Sequence, residues 1–189
     1  MTDQVKTVTQ ADLLQLEAEG KKVEVYDGII VECDPVTHLH VVVIDNLFIL
    51  LQPFVKTNRL GRVYTDGVRY RLRGGGDDVL DSYIPDFSFI RKERIPQDYD
   101  FSGDFPGAPN LAVEVASPGQ STAQLLAKIA DYLDAGTEEA WLIFMDAQEI
   151  HQYRQDAPGV RIYKGSAEIT SPLFPDFKII TESIFVTET

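Results

Sequence analysis

The sequence predicts an α/β (α+β) fold, because strand patterns and amphipathic helix patterns follow one another along the chain. A helix pattern near the N terminus precedes a hairpin pattern centred on Asp27 and Gly28. Two apolar runs, residues 84–90 and 110–116, each carry one acidic residue. A second amphipathic helix pattern, residues 120–135, follows the second run directly. Further strand patterns complete the chain.

The length and composition of the chain set the broad class of protein. A chain of 189 residues supports one sizeable hydrophobic core, so we predict one domain over residues 1–189. Hydrophobic residues make up 44% and charged residues 25%, and the sequence shows no long apolar span and no signal-peptide pattern. We therefore expect a cytoplasmic protein without a membrane partner. The net charge of −13 argues against a generic nucleic-acid-binding protein, which usually carries a basic surface.

The first elements are a helix, a hairpin and a longer helix. Residues 9–20 are typical of a short helix with a capping pair, Thr9 and Asp12, and a stop at Gly20. In the hairpin, the alternation of residues 22–26 marks Glu24 as an exposed polar position. Residues 38–55 are long and apolar enough for a buried helix, which we expect Pro53 to end or kink.

The segment of residues 56–94 differs in charge from the rest of the chain. It holds nine basic and six acidic residues, so it is net positive in an acidic protein. The VRYRLR pattern places Arg69, Arg71 and Arg73 on one strand face, where such a row suits contact with DNA phosphates. The alternative is a solvated strand face without a ligand. The glycine-rich residues 74–78 indicate a mobile loop.

The two acidic strand patterns hold the strongest functional signal. In the second run, Glu114 shares a strand face with Ala112 and Ala116, while the aliphatic residues face the other way. In the first run, Asp86 shares a face with Ser88. Isolated carboxylates are costly to desolvate, so acids in buried strands are usually paired, hydrogen-bonded or bound to metal. Two adjacent strands of this kind suit a hard divalent cation.

The helix pattern of residues 120–135 begins at a cap, Ser121 or Thr122, and ends at Gly136. Its apolar stripe has Lys128 at one edge. A lysine in that position often lays its stem on the core and keeps its ammonium in water, and this interpretation competes with a catalytic one.

Five motifs together resemble those of the Uma-type restriction endonuclease family, a branch of the PD-(D/E)XK nuclease superfamily. They are VEVYDG, HVVVIDNL, PDFSFI, VEVASP and a K-x-x-x-Y helix that ends in Gly before EAWLIF. The resemblance covers nearly the whole chain. It implies a restriction-endonuclease-like fold, with a central mixed β-sheet flanked by helices and with an N-terminal helix and β-hairpin.

The resemblance also implies roles for individual residues. Asp86, Glu114 and the backbone carbonyl of Val115 match the ligands of Mg²⁺ or Mn²⁺, and Asp86 and Glu114 match catalytic acids. The catalytic lysine lies on the following helix, where Lys128 matches it. Glu24 matches a further catalytic acid, and His40 and Tyr132 match accessory residues. Gln124 stands where the family often has an aspartate. DNA as substrate and a homodimer are implied as well.

Three interpretations of the function follow from these residues. The first is a metal-dependent DNA endonuclease that hydrolyses phosphodiester bonds. The second is a catalytically degenerate nuclease fold that acts as a DNA- or protein-binding module, which agrees with the acidic composition. The third is a scaffold whose acids are structural. Metal binding separates the third from the others, and cleavage separates the first from the second.

Overall fold

The computed structural model describes residues 7–117 and 120–187. Pro118, at the end of the VEVASP motif, and the first six residues lie outside this range. The helices are α1 (Gln10–Ala18), α2 (His38–Thr57) and α3 (Thr122–Asp134). The strands are β1 (Val23–Tyr26), β2 (Ile29–Glu32), β3 (Gly61–Thr65), β4 (Tyr70–Gly75), β5 (Asp78–Tyr83), β6 (Phe87–Arg91), β7 (Phe105–Pro106), β8 (Leu111–Val115), β9 (Glu139–Phe144), β10 (Glu149–Arg154), β11 (Ala157–Lys164), β12 (Glu168–Thr170) and β13 (Lys178–Ile180).

The N-terminal helix and hairpin form as the sequence predicts. Thr9 and Asp12 make a capping box, in which the Thr9 backbone N–H donates to the Asp12 carboxylate at 3.0 Å. Gly20 follows the helix with a φ of +78°, which a glycine adopts without strain. Asp27 and Gly28, both with positive φ, connect β1 to β2 as a two-residue turn requires.

A five-stranded sheet extends this hairpin in the order β2-β1-β5-β4-β7. The loop predicted over residues 74–78 is wrong, because β4 continues to Gly75 and β5 begins at Asp78. Gly74 makes this tight turn possible, since a side chain there would collide with the Asp78 backbone carbonyl. The irregular segment after β6 contains a 3-10 helix, Lys92–Arg94, and the short strand β7.

The larger sheet has six strands in the order β11-β10-β9-β8-β6-β3. Strands β8 and β9 are parallel and the other neighbours are antiparallel, so the sheet is mixed. Helix α2 packs on one face through residues such as Leu47, which join Val113 and Trp141 in the main core. Helix α3 packs on the opposite face. This arrangement confirms the predicted central mixed sheet flanked by helices.

Helix α2 begins at a Thr37 cap and runs for 20 residues, with Pro53 inside it. Of the two effects expected of Pro53, an end of the helix is therefore wrong, and a kink stays a prediction. In the described part of the chain, α2 is the one helix long and apolar enough to cross a membrane, which by itself is weak evidence for a span. Its buried side belongs to the main core. The absence of a membrane partner stays a prediction.

The C-terminal residues close the core beside α2. Strands β12 and β13 form a small antiparallel sheet, followed by a 3-10 helix, Thr181–Ile184. The side-chain amide of Asn46 on α2 donates to the carbonyl oxygens of Ile184 at 3.1 Å and Val186 at 2.8 Å. These bonds fasten the C-terminal segment to the helix. The single-domain prediction has no independent test and stays a prediction.

Candidate functional site

The acids predicted from the sequence meet on the α3 side of the larger sheet. Glu114 lies on β8, and Asp86 directly precedes the neighbouring strand β6. Glu24 comes from β1 of the other sheet, and helix α3 contributes Lys128. All four side chains are buried, with no more than 9% of any residue exposed. The alternation that places Glu114 opposite the aliphatic core is thus present in the structure.

The ammonium group of Lys128 holds two of these acids together. It donates to Glu24 Oε1 at 2.7 Å and to Glu114 Oε2 at 2.9 Å. It also lies 5.5 Å from the centre of the Tyr83 ring, within the range of a cation–π contact. Only 6% of Lys128 is exposed, so the interpretation of a lysine with its ammonium in water is wrong.

Glu114 is buried against both a positive and a negative neighbour. Its Oε1 accepts a hydrogen bond from the Tyr132 hydroxyl at 2.8 Å. Burial is the main reason that the pKa of Glu114 is raised to about 8; Lys128 opposes this rise, and the nearby charges of Asp86 and Glu24 add to it. Burial lowers the pKa of Lys128, but Glu114 and Glu24 outweigh it and hold that pKa well above its ordinary value. The site is therefore richer in negative charge than one ammonium balances.

Asp86 is held by the neighbouring strand and by α2. Its Oδ2 accepts from the Val115 backbone N–H at 2.7 Å, which connects the two acidic strands. Its Oδ1 lies 3.1 Å from Nε2 of His40. His40 lies in the first turn of α2, and its backbone N–H donates to the Thr37 side chain at 3.2 Å. The predicted accessory histidine thus contacts a predicted metal ligand directly.

Glu24 is fixed by contacts in addition to Lys128. Its Oε1 accepts from the Ile84 backbone N–H at 2.6 Å, and its Oε2 accepts from the Tyr26 hydroxyl at 2.6 Å. The interpretation of Glu24 as an exposed polar position is therefore wrong. Sequence reasoning missed Tyr26, although its position two residues after Glu24 on the same strand face was a usable signal.

A cavity of about 440 Å³ opens onto this cluster. Its polar wall includes Glu24, Asp86, Glu114, Lys128 and His40. The hairpin and the following loop also line the cavity, with the apolar side chains Ile29, Val31 and Val36 beside the acids Glu32 and Asp34. These three apolar side chains are exposed. The buried charges are thus accessible to a ligand through this cavity.

The donor set fits a hard divalent cation. When all three acids are ionised, they and the one ammonium leave two negative charges. Carboxylate oxygens are the ligands that Mg²⁺ and Mn²⁺ prefer. Within residues 7–117 and 120–187, no group of three or more His, Cys, Asp or Glu side chains is placed to hold a metal ion. A pair of carboxylates suits Mg²⁺, which keeps several waters and binds through one or two carboxylates plus substrate phosphates. Asp86, Glu114 and the Val115 carbonyl are the groups that would hold it.

The predicted row of three arginines is wrong. Arg69 precedes β4 and is buried, with its guanidinium donating to Glu17 at 2.7 Å and to the Val23 carbonyl at 2.5 Å. A register shift between Arg71 and Arg73 interrupts the alternation of β4. Arg73 is paired with Asp27 and Asp81. The three guanidinium groups therefore do not form one exposed face for phosphates.

The residue that departs from the family pattern, Gln124, completes the capping box at the start of helix α3, whose N-cap residue is Ser121. Its Oε1 accepts from the Ser121 hydroxyl at 2.9 Å, and the Ser121 hydroxyl accepts from the Gln124 backbone N–H at 3.1 Å. Gln124 also lines the site cavity. Its side chain thus stabilises the start of the helix that carries Lys128 and Tyr132.

The mixed sheet between α2 and α3, with buried acids at the ends of two adjacent strands, defines a restriction-endonuclease-like protein. The model of the Uma2 family, described as "Putative restriction endonuclease", matches residues 10–182, and the chain belongs to this family. No curated protein matches the sequence. A crystal structure of a putative nuclease belonging to DUF820 from Anabaena variabilis ATCC 29413 has a TM-score of 0.78 and 24% identity. That match covers 94% of this chain and 97% of the other, and it shows the shared fold.

Proposed function

We propose that this protein is a metal-dependent DNA endonuclease that hydrolyses phosphodiester bonds. The observation that carries the proposal is the position of Lys128. Its ammonium lies within hydrogen-bond distance of both Glu24 and Glu114, inside a cavity that also contains Asp86. Membership of a family of putative restriction endonucleases supports the same activity.

Phosphodiester hydrolysis needs a nucleophilic water near neutral pH and positive charge at the phosphoryl group in the transition state. Bound Mg²⁺ or Mn²⁺ lowers the pKa of water and neutralises phosphate charge. Asp86 and Glu114, with the Val115 carbonyl, provide the hard oxygen ligands. The Val115 N–H and His40 fix the Asp86 carboxylate from both sides, so its orientation is set before substrate binds.

Lys128 supplies a positive charge that is permanent at neutral pH, because its pKa is held well above the ordinary value. Glu24 holds the ammonium beside Glu114, and Tyr26 and the Ile84 N–H hold Glu24. Tyr132 donates to the other oxygen of Glu114. Each charged group of the site is thus oriented by at least one further group, as electrostatic preorganisation requires.

A second candidate function is a degenerate nuclease fold that binds DNA or protein without cleavage. Gln124 favours it, because an amide stands where the family often has an acid, and its side chain belongs to the capping box of α3 instead of adding charge to the cavity.

We also propose that the endonuclease is a cytoplasmic protein and forms a homodimer. Sedimentation velocity would measure its oligomeric state.

Incubation of the purified protein with supercoiled plasmid and Mg²⁺ or Mn²⁺ tests the proposal. We expect nicked and linear plasmid with the parent, and none with EDTA. The matched control is Glu114→Gln, which keeps the size of the side chain and an acceptor for Tyr132 while removing the charge. Equal cleavage by this variant would contradict the proposed site. Mn²⁺ binding without cleavage would favour the binding module.

A further inference from the structure

We call five basic side chains outside the candidate site the distal basic patch: Lys56, Arg59, Arg62, Lys92 and Arg94. The first four are exposed and Arg94 is half-buried. Lys56 lies at the end of α2 and Arg59 in the turn after it. Arg62 lies on strand β3, and Lys92 and Arg94 lie on the 3-10 helix after β6. The patch is unusual in a chain whose net charge is −13.

Backbone hydrogen bonds bring these elements together. The Arg59 N–H donates to the Lys56 carbonyl at 3.2 Å as the chain leaves α2. The Lys92 N–H donates to the Leu60 carbonyl at 3.0 Å, which joins the 3-10 helix to the same turn. Strand β3 pairs with β6 so that Arg62 lies opposite Ile90. The five cations therefore occupy one end of the sheet.

This end is opposite to the candidate site. Asp86 directly precedes β6 and Lys92 directly follows it, a separation of about 20 Å at the rise of an antiparallel strand. His40 and Lys56 lie near opposite ends of α2, about 24 Å apart at the rise of a helix. The patch is thus a separate surface from the metal-binding acids.

Most of the cations in the patch are free of acidic partners. Among the described residues, neither Lys56 nor Arg59 forms an ion pair, and Lys92 has only Glu93 at 3.7 Å. Arg94 lies close enough to Glu138 to help lower the pKa of that carboxyl group. Arg62 lies 5.0 Å from the ring centre of Phe101, which is itself exposed. By contrast, the exposed lysines outside the patch in residues 7–117 and 120–187, Lys21, Lys164 and Lys178, are each paired with a glutamate.

We infer that the distal basic patch binds the phosphate backbone of nucleic acid. Unpaired cations on a surface with an exposed aromatic ring match the charge and composition of a polyanion-binding surface. The acidic remainder of the protein repels DNA, so such a patch supplies attraction that the candidate site lacks. The identity of the nucleic acid as DNA rests on the proposed function. The separation of about 20 Å between the patch and the candidate site corresponds to about six base pairs along the DNA axis, so a duplex bound at the patch would extend to the site.

Binding of a dye-labelled 20-base-pair duplex, followed by fluorescence anisotropy in EDTA, tests this inference. EDTA removes cleavage from the measurement, so the result is independent of the proposed activity. The variant Lys56→Gln, Arg59→Gln, Lys92→Gln should weaken binding about tenfold or more and flatten the slope of log K against log salt by about two to three. The matched control Lys21→Gln, Lys164→Gln, Lys178→Gln changes the net charge equally and should leave both quantities near those of the parent.

Three results would overturn the inference. These are no duplex binding by the parent, equal loss in the two variants, and binding by the patch variant that equals the parent. If the parent is a dimer that does not bind DNA, and the patch variant is a monomer, the patch binds a second copy of the chain instead. Patch-dependent binding without plasmid cleavage supports the inference and contradicts only the proposed activity.

Discussion

At the scale of single residues, the main finding is that one lysine contacts acids from two different sheets. Lys128 contacts Glu114 fourteen residues earlier in the chain and Glu24 a further ninety residues before that. A helix wheel shows which side of α3 carries the lysine, but it does not show what packs there. The sequence therefore predicted Asp86 and Glu114 from their own strands, whereas the partners of Lys128 depended on the tertiary fold.

The first prediction concerns Lys128→Met in the metal-free protein. Removing one partner of a buried charge cluster leaves Glu24 and Glu114 facing each other, and such a loss typically costs about 3 kcal/mol or more of unfolding free energy. Plasmid cleavage should fall about a hundredfold or more, because a fixed positive charge is lost at the reacting phosphate. Urea denaturation in EDTA and cleavage at saturating Mn²⁺ measure the two effects.

The double variant Lys128→Met, Glu24→Gln separates stability from catalysis. It removes one negative charge together with the positive one, so we expect much of the lost stability to return. Cleavage should stay low, since the ammonium is still absent. Cleavage within a few fold of the parent in either variant would show that Lys128 has only a structural role.

A second prediction follows from the raised pKa of Glu114. Its folded-state pKa of about 8 lies above the ordinary value of 4.5, so protonation of this carboxyl group favours the folded state. The contribution to stability is complete below about pH 4.5, where the group is protonated in both the folded and the unfolded protein. This contribution should be lost progressively as the pH rises from about 4.5 to 8. Urea denaturation of the metal-free protein should therefore show unfolding free energy falling over that range by an amount on the order of a few kcal/mol.

The variant Glu114→Gln is the control for this pH dependence, because its amide does not titrate. We expect a flatter dependence of unfolding free energy on pH between 5 and 8 than in the parent. Parallel curves for the two proteins would show that another group causes the pH dependence, and the raised pKa of Glu114 would then be contradicted.

At the scale of elements, local patterns predicted most helices and strands because the relevant contacts are close in sequence. The capping box of α1 spans four residues, and the turn of the first hairpin spans two. The predictions failed where tertiary packing overrides local preference. The turn at Gly74 is tight because β4 and β5 pair nearly to their ends, and α2 continues past Pro53 because both of its flanks pack on the core.

A third prediction concerns Pro53 in α2. Proline has no N–H, so the carbonyl of Ile49 lacks the helical hydrogen bond from residue 53, and both residues are exposed to solvent. Pro53→Ala restores this bond without adding bulk, although the unfolded chain gains entropy. We expect the unfolding free energy to rise by about 1–2 kcal/mol in urea denaturation. A decrease would show that the packing of Phe54 on Phe177 depends on a bend at Pro53.

At the scale of the whole molecule, charge is distributed by three-dimensional position and not by sequence segment. The net positive segment of residues 56–94 divides into two groups in the fold. Arg69 pairs with Glu17 of helix α1, and Arg73 pairs with Asp81 of the five-stranded sheet. Lys56, Arg59 and Lys92 instead meet at the far end of the six-stranded sheet. Counting charges along the chain located the excess of cations but did not identify the side chains that stay free.

The site also connects the two sheets, since Glu24 comes from one and Asp86 and Glu114 from the other. A cation held by these acids would stabilise the folded chain as a whole. Mn²⁺ should therefore raise the melting temperature, with a gain of about 2.7 kcal/mol in unfolding free energy at a free concentration a hundredfold above Kd. The gain should be larger at pH 8 than at pH 6, because Glu114 must lose its proton to bind a cation.

Thermal unfolding of three variants with and without Mn²⁺ checks this last prediction. Asp86→Asn and Glu114→Gln remove proposed ligands and should abolish the gain. Glu139→Gln is the matched control, since Glu139 is an equally buried carboxylate whose partners are Trp141, Gln152 and Ser171. It should lower the melting temperature of the metal-free protein while keeping the gain with Mn²⁺. The same gain in all three variants would place any bound Mn²⁺ elsewhere on this acidic protein.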